Sequence, residues 1–387
     1  MTADLFGDIP AVVRLKKELD LPAPASEPEL LSELLTLSRK NRTGAMDLGA
    51  GSYDHFIPSA VKHIVGRSEF YTAYTPYQAE ASQGTLQAIY EYQSLICALT
   101  GMDVANASMY DGATALAEAA FLACRATGRD KLIVSSAVHP EHRRVLRTYC
   151  RSAGIKVSEL PFDNKSGTTP ANDKVFSGSA CYILQQPNFF GCIEPVAGLA
   201  DKIHKEGALF IVSADPVSLG ILTPPGEYGA DVAVGEGQSL GNAMNFGGPG
   251  LGIFAVKKAL LRQIPGRLVG RTIDLDGKAG FTLTLQAREQ HIRRDRAASN
   301  ICSNEALCAL AACAYLSLLG RQGLRRAAEL CLVRSSELKK RLGSVFSAPT
   351  FKEFATSADA GIPLWRFYPE LKGFSLVCAT EMSGIKA

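Results

Sequence analysis

The residues with most chemistry to offer stand in the segment Asp231-Val-Ala-Val-Gly-Glu-Gly-Gln-Ser-Leu-Gly241, with Gly247-Gly-Pro-Gly250 close behind. This is the layout of a cofactor-lysine loop in a pyridoxal-phosphate enzyme. There, a lysine just after a buried strand condenses its amine with the cofactor aldehyde. Here Gln238 and Ser239 hold that place, and neither an amide nor a hydroxyl can form the imine. Lys257 and Lys258 follow the next strand, at its exposed end, and do not replace the missing amine. A chain that keeps the surroundings and lacks the nucleophile reads as half of a shared active site, with no catalytic residue of its own.

Four other constellations could serve such a site. Tyr71 to Gly84 packs three tyrosines, two glutamines and a glutamate before a helix. Such a loop can present hydroxyls and amides to a small polar ligand, or its rings can simply pack. Asp111-Gly-Ala-Thr-Ala115 opens a helix whose amides and dipole favour phosphate or carboxylate. Asp111 is itself an anion, however, and also suits a plain N-cap. In His139-Pro-Glu-His142 an imidazole could lie over a flat heterocycle, or merely start a helix. Two histidines without a third ligand do not make a metal site, and none is expected. Gln186-Pro-Asn-Phe-Phe-Gly191, with Asn188, and Asp215 each end a strand at the sheet edge where α/β enzymes place ligands. Asp215 would pair with a pyridinium nitrogen, or form a turn with Pro216. No P-loop, nucleophile elbow, zinc-protease or dinucleotide fingerprint is present.

The elements that must hold these residues alternate. Ala79–Thr100 and Asp111–Thr127 read as helices. Lys131–Ser135, Ile155–Leu160, Ala180–Leu184, Ala208–Ser213, Val232–Val234 and Leu251–Val256 read as strands. Helices are expected at His139–Ala153 and Glu194–Glu206. Strand, helix and strand joined by short glycine turns predict a doubly wound, mostly parallel α/β sheet. Before it, residues 1–65 read as a helical arm in which Ser26 and Glu29 form a capping box over a leucine stripe. Residues 66–300 form the large domain. Residues 301–387 form a smaller C-terminal α/β domain, with two helices broken at Gly320 to Gly323 and strands near Phe351–Phe354 and Phe374–Ala379. Asp163–Lys174 is expected to be a surface loop.

Composition narrows the class. The 387 residues are 47% hydrophobic and 20% charged, with a net charge of +3, which suits a globular protein and suggests no nucleic-acid partner. Ten cysteines without CxxC spacing read as reduced thiols in a cytoplasmic compartment. No apolar run reaches the length of a membrane span.

Tyr-Thr-Pro-Tyr-Gln-Ala-Glu at 74–80, Asp-Gly-Ala-Thr-Ala at 111–115, Pro-Asn-Phe-Phe-Gly at 187–191 and Gly-Glu-Gly-Gln-Ser-Leu-Gly at 235–241 share one likeness. Arg-Glu-Gln-His-Ile-Arg-Arg at 288–294, Ser-Asn-Ile-Cys at 299–302 and Arg-Phe-Tyr-Pro-Glu at 366–370 extend it. Over most of its length the chain resembles the glycine cleavage system P-protein (glycine decarboxylase) family, and in it the N-terminal-half chains that lack the cofactor lysine. The segment between Phe351 and Leu364, the loop at 163–174 and the tail after Met382 are shorter than in the family. The resemblance implies a fold-type-I pyridoxal-phosphate transferase-like architecture. It implies a homologous second subunit that holds the cofactor covalently, in a heterotetramer of two heterodimers. Glycine is decarboxylated there, and its aminomethyl group passes to the lipoyl arm of the H-protein. Tyr74, Thr75, Tyr77, Gln78 and Glu80 are expected at the shared site. Asp111, Gly112, Thr114, His139, Asn188, Asp215, Gln238 and Ser239 are expected in a vestigial pocket of this chain. Two alternatives remain: a purely structural scaffold for the second subunit, and an enzyme that uses an unexpected lysine.

Overall fold

Strands without a polar face must be covered on both sides. Lys131–Ser135, Cys181–Gln186, Leu209–Ala214 and Val232–Glu236 are buried almost throughout. They form the parallel centre of a seven-stranded sheet in the computed structural model, which describes residues 5–41, 47–171 and 173–384. The strands in chain order are β1 (Val104–Ala105), β2 (Lys131–Ser135), β3 (Lys156–Leu160), β4 (Cys181–Gln186), β5 (Leu209–Ala214), β6 (Val232–Glu236), β7 (Gly252–Val256), β8 (Leu268–Ile273), β9 (Ala279–Thr284), β10 (Glu353–Thr356), β11 (Ile362–Pro363) and β12 (Ser375–Cys378). The large sheet runs β1-β7-β6-β5-β4-β2-β3, and its antiparallel pairings are those of β7, with β1 on one side and β6 on the other. A three-stranded sheet, β10-β12-β11, and the hairpin β8-β9 complete the β structure among the described residues.

The helices are α1 (Glu27–Ser38), α2 (Ser59–Val65), α3 (Ser68–Tyr71), α4 (Gln83–Thr100), α5 (Gly112–Thr127), α6 (Pro140–Ser152), α7 (Leu199–Lys205), α8 (Gln290–Arg293) and α9 (Ala306–Leu342). One apolar cluster joins α4 and α9 to the sheet through Tyr92, Ile96, Phe210, Leu251 and Tyr315. A second joins α5 and α6 to it through Leu116, Leu146, Ile183 and Phe254. The described residues divide into two compact units, 5–41 and 47–384. In the first, α1 carries the expected capping box: Ser26 N donates to Glu29 Oε2 at 2.8 Å. Its leucines Leu30, Leu31, Leu34, Leu35 and Leu37 are all exposed.

Some expectations need correction. The helix foreseen at 194–206 is only α7, because Pro195 cannot extend a ladder and Gly198 adopts φ +69°. The segment 163–174 is not simply a surface loop: Thr169 is buried and its N–H donates to Glu194 Oε2 at 2.8 Å. The 37-residue α9 does contain a window long and apolar enough for a membrane span, although half of that window is buried inside the fold. Gly320, at φ +57° and ψ −172°, interrupts it where a break was foreseen.

Candidate functional site

Parallel strands deliver their following residues to one edge of a sheet, and here they deliver a cleft. His139 lies beyond the end of β2, Gln185 and Pro187 at the end of β4, Asp215 follows β5, and Glu236, Gln238 and Ser239 come from the end of β6. Tyr53, Lys352 just before β10 and Glu353 at its start close the other side. The cavity they leave is about 60 Å³.

Its floor is an ion pair. Lys352 Nζ stands 2.5 Å from Asp215 Oδ2, 3.6 Å from the centre of the Tyr53 ring and 3.3 Å from His55 Nε2. Burial, the largest single effect, would lower the Lys352 pKa, but the charge and hydrogen bond of Asp215, with Cys378 and Cys331 beside it, together raise it. For Asp215, burial acts upward, and Lys352 nonetheless holds the carboxyl below its ordinary value. His55 accepts from Lys352 at Nε2 and so donates from Nδ1 to Glu381 Oε2, at 2.8 Å. His55, Cys331 and Glu381 could bring three ligand atoms together, but the ammonium beside them already supplies the positive charge. Glu353 accepts from Ala50 N and the Tyr53 hydroxyl, both at 2.8 Å, and burial pushes its pKa up to about 7.

The opposite end of the cleft is an anion nest that is already filled. Glu236 Oε2 accepts from Gly112 N at 2.9 Å, and its Oε1 accepts from Gln238 N at 2.9 Å and Leu251 N at 2.8 Å. Burial raises its pKa against the pull of these three N–H donors. Gly112 permits this approach, since a Cβ there would stand 2.9 Å from Glu236 N. Asp111 caps the same helix, accepting from Thr114 N at 2.7 Å.

The expected pocket residues therefore divide. Asp215, His139, Gln238 and Ser239 line the cleft, and Asp111 opens onto its neighbouring groove with Glu236. Gly112 reaches the cleft only through the N–H given to Glu236, and Thr114 serves the cap. Asn188 lies elsewhere: its amide donates to Gly167 O and Glu194 Oε1, and its carbonyl accepts from Phe190 N and Cys192 N. Those four bonds use the whole side chain to fix a buried turn. His139 donates from Nε2 to Ala50 O and accepts at Nδ1 from Glu141 N, while its ring stacks on His142 at 4.7 Å. Burial lowers the His142 pKa to about 3.

Pyridoxal phosphate needs an amine for its aldehyde, an acid for its ring nitrogen and free N–H groups for its phosphate. The amine is missing at 238–239. The acid is engaged by Lys352 and the N–H groups by Glu236. These residues do not fit the cofactor. Lys352 is itself the cleft's lysine, but its amine sits on the acid rather than at the place of an imine.

Tyr74, Thr75, Tyr77, Gln78 and Glu80 are not in this cleft. All except the half-buried Thr75 are exposed, Tyr74 by 85%. Tyr77 is held from below by Arg267, which is buried. Arg267 Nη2 donates to the Tyr77 hydroxyl at 3.1 Å and to Cys302 O at 2.6 Å, and Nη1 donates to Asn304 Oδ1 at 3.3 Å. The guanidinium lies 5.5 Å from the Tyr77 ring centre, and the His291 ring meets that ring edge-on at 5.7 Å. Sequence reasoning did not single out Lys352, Glu236, Tyr53, Glu353 or Arg267. Two charges between phenylalanines, Lys352 and Glu353 in the strand expected at Phe351–Phe354, were the one available signal.

A profile of the glycine cleavage system P-protein matches residues 2–362. A Moorella thermoacetica protein named "Probable glycine dehydrogenase (decarboxylating) subunit 1" is 54% identical over 98% of this chain and 90% of its own length. One of the same name from Chlorobaculum tepidum is 56% identical over 90% of this chain and 81% of its own. The crystal structure of a glycine decarboxylase (P-protein) of the glycine cleavage system, in inhibitor-bound form, superposes with a TM-score of 0.92. It is 44% identical, and the match covers 99% of this chain and 91% of that one. A sphingosine-1-phosphate lyase from Burkholderia pseudomallei shares the fold at a TM-score of 0.65 and 16% identity, over 96% of this chain and 90% of that one.

Proposed function

Because this chain belongs to the glycine cleavage system P-protein family, we propose that it works as subunit 1 of a two-chain glycine dehydrogenase (decarboxylating). Its architecture is that of the pyridoxal-phosphate-dependent fold-type-I enzymes. Subunit 2 is the homologous chain with the cofactor lysine. It holds pyridoxal phosphate, glycine loses its carboxylate there, and the aminomethyl group passes to the lipoyl arm of the H-protein. The pair doubles into a heterotetramer.

One observation carries the assignment of roles: the cleft of this chain has no amine at 238–239, and its acid is already paired with Lys352. The contribution of this chain is then a surface. Tyr74, Gln78 and Glu80 are exposed, and Tyr77 stands exposed among them on a base braced by Arg267. Placed against subunit 2, they orient glycine and the lipoyl arm and keep water from the reacting carbon.

The test is reconstitution. Each chain alone and the two together are assayed for cofactor absorbance and glycine–bicarbonate exchange. Exchange is expected only from the pair. Exchange by this chain alone, or a borohydride-fixed imine mapped to one of its lysines, removes the reading. Tyr77→Phe keeps the fold and loses the hydroxyl that accepts from Arg267. We expect exchange by the reconstituted pair to fall about tenfold, the scale of one misplaced hydrogen-bonding group, about 1.4 kcal/mol. Unchanged exchange takes Tyr77 out of the shared site and leaves the scaffold role for this loop.

A further inference from the structure

A cleft that has lost its cofactor can be left open to stray ligands, or filled with protein. The two ends of this cleft are filled, each by the charge that the missing group would bring. At one end Lys352 places an ammonium on Asp215 at 2.5 Å, where a protonated ring nitrogen would sit. At the other, Glu236 places a carboxylate on three backbone N–H groups, one of them at the start of α5, where a phosphate would sit. The charges are of opposite sign and stand at opposite ends, the same polarity as the absent molecule. We propose that Lys352 and Glu236 are an internal replacement for the cofactor: they keep pyridoxal phosphates out of this subunit and hold its cleft in the shape that the bound group imposes on the fold. This rests on the reading that subunit 2 alone carries the cofactor.

Two features show that both side chains are built into place rather than resting there. Lys352 immediately precedes the buried strand β10, is 2% exposed, and is held on three sides by Asp215, Tyr53 and His55. His55 is in turn fixed by Glu381. Glu236 is the last residue of β6, and Gly112 gives it room. A flexible surface charge would have neither constraint. Burying an ion pair without need is costly. It is explained if the alternative is an acid and an anion nest left empty.

The full-length chain is titrated with pyridoxamine 5′-phosphate, which has no aldehyde and so cannot label surface lysines. Binding is read by the ligand's fluorescence and by thermal unfolding. The wild type is expected to show no saturable binding. Lys352→Met/Glu236→Ala is expected to bind at least tenfold more tightly, with a ligand-dependent rise in its melting temperature. Lys352→Met/Asp215→Asn/Glu236→Ala, which removes the acid as well, should lose most of that gain. If the double variant does not fold, Glu236→Ala alone is titrated with inorganic phosphate, and stabilisation at least tenfold more sensitive to phosphate than the wild type's is expected. Wild-type binding as tight as the variant's overturns the proposal. So does a folded double variant that binds nothing, or a folded Glu236→Ala no more responsive to phosphate than the wild type. These outcomes are separable from the two-chain assignment. Exchange that still requires both chains leaves that assignment standing, whereas exchange by this chain alone sinks it whatever the titration shows.

Discussion

At the scale of the residue, the cleft is a set of buried charges that stand or fall together. Lys352→Met leaves the half-buried Asp215 without its counter-charge, with only the N–H groups of Val217 and Ser218 on its other oxygen, and a broken buried pair costs about 3–5 kcal/mol. Adding Asp215→Asn removes the orphaned charge, so the double variant should recover most of that loss. Urea unfolding of the two variants checks the difference. Glu353 sets a pH dependence. Its folded value of about 7 lies above the ordinary 4.5, so between these values the native chain holds a proton that the unfolded chain has released. Stability is therefore full below about pH 4.5, falls as pH rises toward 7, and is flat above. Glu353→Gln abolishes the contribution. The wild-type-minus-variant difference in urea midpoint should shrink between about pH 5 and pH 7, and a difference that grew with pH would contradict it.

At the scale of the element, α9 offers a clean test because its break is a matter of backbone alone. Gly320 has φ +57° and ψ −172°, and a Cβ there would meet nothing within 4 Å. Gly320→Ala therefore carries no clash, only the strain of a region reserved for glycine, about 1–3 kcal/mol. Equilibrium unfolding should show that loss with an unchanged slope. This break was legible in the sequence, as were the core strands, because apolar runs between glycine turns have few alternatives. His139, Asp215, Gln238 and Ser239 were legible for a related reason: each follows a strand at the edge where a parallel sheet collects its ligands. The helix at 194–206 was misread because its periodicity was apolar enough while Pro195 and Gly198 shortened it. Asn188 was misread because position alone could not show a side chain turned inward to saturate a turn. Lys352, Glu236 and Arg267 were not legible. Asp215, Gly112 and Tyr77, the partners that give them their roles, lie far along the chain, and the sequence around Lys352 does not show that it meets Asp215.

At the scale of the whole molecule, association is a matter of exposed apolar surface. Helix α1 has no buried residue, although Leu30, Leu31, Leu34, Leu35 and Leu37 recur along it. An isolated twelve-residue helix is marginal in water, so this one gains its stability from whatever covers its leucines. The relatives are called subunit 1, and a second chain is the occupant that name implies. If α1 docks on subunit 2, Leu31→Lys/Leu34→Lys puts charge into an apolar contact. It should weaken association at least tenfold, while the isolated chain, in which these leucines are exposed, changes stability by no more than about 0.5 kcal/mol. Analytical ultracentrifugation of the mixed chains measures the first quantity and urea unfolding of this chain the second. Association that survived the substitution would assign α1 elsewhere. The contact would then have to run through the face around Tyr74, Tyr77 and Gln78, where the Tyr77→Phe exchange assay already bears on it.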